Sequence, residues 1–145
     1  MTLDLHRFLP YRIDRLSDAV SRHFSDVYRD AHAMARPEWK VFAHLGQEES
    51  LTAREIVRRT GLHKTKVSRA VASLEKRRWI ARSRDDDDRR IEHLSLTKLG
   101  SSHYDRLTDR MREREVGLLE QLSDGEREAV DDALAILERV MKPDR

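Results

Sequence analysis

The 145-residue sequence contains no cysteine. Disulfides, thiolate metal sites, thiol nucleophiles and cysteine-based redox sensing are therefore excluded from this chain. No apolar run approaches the ~20 residues that span a bilayer. Met1 to Leu9 carry Asp4, His6 and Arg7 where a signal peptide would have its apolar core. A cytoplasmic protein with no membrane partner is the expectation. The parts of common enzymes are missing too: there is no phosphate-binding glycine loop and no Gly-x-Ser-x-Gly elbow. Acids and histidines are plentiful but unorganised, so neither an enzyme nor a cofactor is expected. His23, His32, His44 and His103 fall on predicted helices, yet they form no His-x-x-x-His pair with a neighbouring carboxylate. They read as surface or packed histidines, with no metal, and His103 lies on an apolar stripe.

What is present is charge. Charged residues make up 39% of the chain against 38% apolar, a low apolar share for a compact monomer, and long amphipathic helices packing on a partner account for it. The formal net charge of +2 conceals a segregation. Residues 54–90 hold 13 Lys or Arg against 6 Asp or Glu, while 1–53 sum to −1, 91–100 to zero and 101–145 to −4. A basic centre between neutral and acidic arms suits a polyanion-binding module with separate assembly helices.

Hydrophobic periodicity supplies the architecture. Leu9, Ile13, Leu16, Val20, Phe24, Val27, Ala31 and Met34 recur at spacings of three and four, predicting one long helix. Pro37 is placed at the first position of a short second helix bearing Trp39, Val41, Phe42 and Leu45, which Gly46 closes. Thr52 and Glu55 form a capping box with a Leu51/Ile56 staple, so a third helix starts at Thr52. Gly61 allows a sharp turn into a fourth helix with Leu62, Val67, Val71 and Leu74 inward: a helix-turn-helix. Trp79 to Ser83 and Ile91 to Leu96 read as strands joined by the charged turn Arg84 to Arg90. Thr97 caps a further helix running to Leu122, with Gly117 its weak point. Ser123 and Glu126 cap the last one, which presents Val130, Ala133, Leu134, Leu137 and Val140 inward. The fold class is mainly α with a small β-wing, a winged helix-turn-helix with N- and C-terminal dimerisation helices. Two recognition helices about 34–36 Å apart are what specific duplex binding needs, and the terminal helices would set that distance.

The segment Thr52 to Lys76, and above all Asp88-Arg89-Arg90-Ile91-Glu92-His93-Leu94-Ser95-Leu96-Thr97, resembles the MarR family of bacterial transcription regulators, whose wing ends in Asp-x-Arg-x-x-x-x-x-Leu-Thr. The resemblance implies a single domain over 1–145, with a DNA-binding lobe at about 37–97 and dimerisation helices at 1–36 and 98–145. It also implies that Arg90 is the wing arginine entering the minor groove and Asp88 the acid that braces it. A homodimer on double-stranded DNA is implied, acting as a repressor that a small aromatic or carboxylate ligand releases. One departure is Arg78, which stands where many relatives have glycine.

From the residues themselves, the outer N-terminal half of the fourth helix exposes His63, Lys64, Thr65, Lys66, Ser68 and Arg69, types that read base edges or grip phosphate. Arg54, Arg82 and Arg84 are further phosphate candidates. Asp85 to Asp87 read as a solvated turn. Trp39, Phe42 and Arg12 are the candidate lining of a ligand pocket, although core packing suits both aromatics. The competing function is a winged-helix module for protein or RNA contact. The cations Lys66 and Arg69 argue against it, because a protein-binding version would show apolar anchors there.

Overall fold

The computed structural model describes residues 1–141, so the last four positions of the 98–145 segment lie outside the described residues. In chain order the elements are α1 (Leu9–His32), α2 (Arg36–Leu45), β1 (Leu51–Thr52), α3 (Ala53–Thr60), α4 (Lys64–Lys76), β2 (Ile80–Arg84), β3 (Glu92–Leu96), α5 (Lys98–Leu119) and α6 (Asp124–Met141), with a 3-10 turn at Leu5–Arg7. The predicted mainly helical architecture with a small wing is what forms. The sheet is three-stranded and antiparallel, in the order β1-β3-β2.

Capping chemistry sets most boundaries. Thr52 Oγ1 accepts from the Glu55 amide at 3.2 Å and Glu55 Oε2 accepts from the Thr52 amide at 3.3 Å. Leu51 and Ile56, the staple pair, are both buried. Thr52 has an extended backbone, φ −81° and ψ 158°, which is the geometry of an N-cap and equally of a strand. That double use lets Leu51 pair opposite Leu94, making β1, a strand too short for any alternation to announce. α1 ends two residues before Met34, because Ala33 turns left-handed at φ 51° and a Schellman closure runs from the Met34 amide to the Tyr28 carbonyl at 3.3 Å. α2 starts one residue earlier than predicted, so Pro37 is its second residue, where the missing N–H still costs nothing. β2 starts at Ile80 instead of Trp79 and β3 at Glu92 instead of Ile91. α5 ends at Leu119, three residues before the predicted Leu122, and Ser123 with Glu126 opens α6 through a second capping box.

The core lies in the middle segment. Val41, Phe42 and Leu45 of α2 meet Ile56, Val67, Val71, Leu74, Ile80 and Leu94, and α1 and α5 add Val27, Tyr28 and Leu107. Arg114 ties α5 to α1 through a paired contact with Asp26 at 2.8 Å and a bond to the His23 carbonyl at 2.6 Å. One expectation is corrected. Val130, Ala133, Leu134, Leu137 and Val140 are not inward within the chain, for no residue of α6 is buried. The N-terminal half of α1 behaves the same way: Leu16 is 63% exposed, beside 52% for Leu134 of α6. The two apolar faces flank an open groove of about 910 Å³ lined by Leu9, Ile13, Leu16, Val130, Leu134 and Leu137.

Arg78 adopts the left-handed conformation that glycine would take, at φ 65°. It is held there by the Trp79 amide bonding back to the Leu74 carbonyl at 3.1 Å and by Thr97 Oγ1 donating to the Arg78 carbonyl at 2.7 Å. A side chain in this region costs about 1–2 kcal/mol, part of which glycine returns through its freer unfolded state. Arg78→Gly is therefore expected to stabilise the fold by roughly 0.5–1 kcal/mol, seen as a higher urea midpoint with unchanged slope at fixed protein concentration.

Candidate nucleic-acid interface

The candidate surface starts at the turn between α3 and α4. Gly61 sits at φ 70°, and α4 then packs through Val67, Ala70, Val71 and Leu74. Period 3.6 leaves the opposite face outside, so His63, Lys64, Thr65, Lys66, Ser68 and Arg69 are all exposed together. His63 has a local task as well: it is the N-cap of α4, its Nδ1 accepting from the Thr65 amide at 3.2 Å. Only Nε2 is left for an outside partner. Burial, and after it the nearby charges of Arg36 and then Lys66, makes Lys40 of α2 hold its proton less tightly than usual.

The orientation of α4 is set by Glu38, which sequence reasoning did not single out. This buried carboxylate accepts from Ser73 Oγ and from Arg77 Nε, both at 2.7 Å, and more loosely from Arg77 Nη2 at 3.4 Å. In one dimension Glu38 is only an acid in the first turn of a helix. Its partners are 35 and 39 residues away.

At the wing, Asp88 and Arg90 are paired as the motif implied. Asp88 Oδ1 accepts from the Arg90 amide and Nε at 3.1 Å, and Oδ2 accepts from Nη2 at 3.1 Å. The fork holds the Asp88 carboxyl below its ordinary range, chiefly through the Arg90 guanidinium and then its amide. The Arg90 side chain is 90% exposed, so the brace orients it while leaving its outer edge in solvent. Asp85 departs from the solvated-turn reading. Its Oδ2 accepts from the Asp87 and Asp88 amides at 3.1 and 3.0 Å, and its Oδ1 meets His93 Nε2 at 2.8 Å. His93 is the largest cause holding the Asp85 carboxyl low, and Asp85 thus shapes the turn that presents Arg90.

Arg54 and Arg84 are exposed, on α3 and at the end of β2. Arg82, the third phosphate candidate, is paired within the chain: its Nε donates to Glu75 and its Nη1 to Glu92, both at 2.7 Å. A guanidinium held between two carboxylates braces α4 against the wing and offers little charge to a polyanion.

Two cavities bear on the ligand candidates. A cavity of about 510 Å³ between α1, α2 and α5 is lined by Phe24, Trp39, His44, Tyr104, Met111 and Arg112, among others. Of the three candidates, only Trp39 lines it. Phe42 is fully buried against Trp79 and Tyr104, and Arg12 lies in the α1/α6 groove. The structure therefore separates Arg12 from the two aromatics. Tyr104, which bonds Gln47, was missed because its ring fills the space left by Gly46, where a Cβ would come within 2.0 Å of it.

A junction joins α5 to this lobe. Thr97 caps α5 by accepting from the Gly100 amide at 3.0 Å, while its own amide donates to the Trp79 carbonyl at 2.9 Å. The Trp79 ring stacks on His103 with centroids 4.4 Å apart and meets His32 edge-on at 5.0 Å. Desolvation, then neighbouring positive groups, pushes both imidazoles below their ordinary pKa. Between their folded and unfolded values the unfolded chain binds more protons, so their contribution to stability is present above about pH 6.5 and lost as pH falls through the folded pKa. Thermal unfolding scans from pH 7.5 down to 5.5 should show falling stability, with a weaker dependence in His103→Gln.

The MarR family's sequence model matches residues 34–91. No curated protein sequence matches the chain. Among solved structures, a MarR/EmrR family transcriptional regulator from Acinetobacter sp. ADP1 is 25% identical, with a TM-score of 0.81 over 97% of this chain and 99% of that one. The PcaV transcriptional regulator from Streptomyces coelicolor, solved with its natural ligand, is 23% identical, with a TM-score of 0.76 over 100% of this chain and 99% of that one. BpsR of Bordetella bronchiseptica, whose DNA binding is regulated by 6-hydroxynicotinic acid, is 17% identical, with a TM-score of 0.80 over 95% of this chain and 98% of that one. Residues 34–91 thus match the MarR family's sequence model, and over nearly its whole length the chain shares its fold with a MarR/EmrR family transcriptional regulator.

Proposed function

We propose that the chain is a homodimeric, sequence-specific DNA-binding repressor of a pseudo-palindromic operator, with residues 37–97 as the DNA-binding lobe and the flanking helices as the dimerisation part. The observation that carries this reading is the coexistence of an exposed cationic face on α4 with the braced Arg90 fork at the wing tip. α4 would lie in the major groove, with Lys66 and Arg69 donating to guanine edges and Thr65 and Ser68 to bases or phosphates. Lys64, His63, Arg54 and Arg84 would meet the backbone, and Arg90 the adjacent minor groove. The outer face of α4 has no apolar anchor, which speaks against a protein-docking role. Such a repressor works in the cytoplasm, and no described helix is long and apolar enough to cross a membrane.

Release by a small aromatic carboxylate is part of the proposal. The cavity beside Trp39 and Tyr104 offers ring faces, and its lining includes Arg112, which is paired with Asp109 at 3.1 Å, and Glu115. It lies between the long helices and the lobe, so an occupant would change how the lobes are held apart.

Selection of bound duplexes from a random pool tests the central claim: a two-fold symmetric motif should emerge with half-sites about one helical turn apart. Weak, unselective binding abolished by modest salt would defeat it. On the selected site, Arg69→Ala should cost roughly 1–3 kcal/mol and relax the preference at one base position. Arg90→Ala should weaken binding more uniformly and reduce the salt slope by about one.

A further inference from the structure

A second recess, of about 280 Å³, lies between α1 and α5 and is lined by Ala31, His32, His103, Arg106, Leu107 and Arg110. Every polar side chain that lines it is a cation or an imidazole, and no acid does. Among the described residues neither Arg106 nor Arg110 forms an ion pair: Arg106 Nη2 donates to His103 Nδ1 at 3.3 Å, and Arg110 Nη1 donates weakly to the Val27 carbonyl at 3.4 Å. Elsewhere Arg77, Arg82, Arg90 and Arg114 are all matched with carboxylates. We propose that this recess between α1 and α5 is a binding site for a small oxyanion, held by Arg106 and Arg110 with His32 and His103 as further donors.

The charge pattern explains why an anion fits. His32 from α1 faces His103, Arg106 and Arg110 from α5 and Arg77 from the segment after α4, the last already neutralised by Glu38. The positive neighbours help, after burial, to keep both imidazoles unprotonated, and an anion held by Arg106 and Arg110 would reverse that effect and let both imidazoles protonate and donate to it. Ala31 and Leu107 give the recess an apolar wall, and its volume limits the occupant to an inorganic oxyanion or a small carboxylate. His32 and His103 both rest on Trp79, whose carbonyl bonds Thr97, so an occupant would act on the junction between α5 and the lobe. This site is separate from the aromatic cavity and stands whether or not that cavity takes a ligand.

Sulfate is the probe, because it stays a dianion across the range in which histidine titrates. The imidazole Cε1–H signals of His32 and His103, assigned with single His→Gln variants, are followed by NMR against pH in chloride and in sulfate at matched ionic strength. Sulfate should move both midpoints up by roughly one pH unit. In Arg106→Ala/Arg110→Ala the midpoints should already be higher in chloride, and the sulfate response should vanish. Arg106→Gln alone should weaken that response, with circular dichroism checking that each variant is folded. Identical midpoints in the two salts would overturn the inference. So would a sulfate response that survives the double substitution, or a shift produced only by duplex DNA.

Discussion

Leu16→Glu and Leu134→Glu should each convert the protein to a monomer and lower its affinity for its selected duplex on the order of 100-fold. Both leucines are more than half exposed in the single chain, on opposite walls of the α1/α6 groove, and the same groove exposes Leu9, Ile13 and Val130. An apolar surface of that extent marks an interaction site. In the proposed two-fold dimer each substitution occurs twice, so two carboxylates would enter an apolar interface without partners. Sedimentation equilibrium reads the assembly state and fluorescence anisotropy the DNA affinity. Leu99→Glu is the control, since Leu99 is 48% exposed but lies outside the groove. A Leu16→Glu protein that remained dimeric with unaltered DNA binding would remove the α1/α6 face from the assembly.

Gly100→Ala is the second large effect. Gly100 lies in the first turn of α5, and a Cβ built there would stand 2.0 Å from the Trp79 carbonyl oxygen and 2.8 Å from its carbon. These are backbone atoms, so no rotamer change relieves the contact. Either α5 shifts off the lobe, losing the Thr97 amide bond to Trp79 and the stacking of His103, or the end of α4 moves. We expect a destabilisation of about 3 kcal/mol, at the upper end of overpacking costs, with altered tryptophan fluorescence from Trp79. Gly117→Ala is the matched control. Gly117 has nothing within 4 Å of its missing Cβ, so alanine there should stabilise the helix by up to about 1 kcal/mol. Equal effects at the two glycines would show that helix propensity, and not the close approach to Trp79, governs Gly100.

Local chemistry was legible in one dimension. The capping boxes at Thr52 and Ser123, the turn at Gly61 and the apolar stripe of α4 each depend on residues within about one or two turns, where a side chain and its backbone partner are neighbours by covalent geometry. The Asp88/Arg90 fork also spans only two residues, and it was implied by the family resemblance. The exposure of His63 to Arg69 is local too, since a period of 3.6 that buries Val67, Val71 and Leu74 turns the other face out. Periodicity also found the apolar faces of α1 and α6, but a stripe says only that a face seeks cover. It cannot say whether cover comes from the same chain.

Tertiary structure decided what depends on distant residues meeting. Glu38 became the anchor of the recognition helix because α2 and α4 cross where Ser73 and Arg77 lie. Arg82 became a brace between α4 and the wing because Glu75 and Glu92 converge on it from a helix and a strand. Trp39 and Phe42 look alike as aromatics on one short helix, yet burial left Trp39 on a cavity wall and put Phe42 in the core. The chain's order of charges and apolar residues settled its helices, its turn and its cationic centre, because those follow from local bonding and from a repeat that the sequence itself displays. Which charges are cancelled, which aromatics are covered and which apolar faces stay open are set by contacts across the fold, and only the three-dimensional arrangement brings those residues within reach of one another.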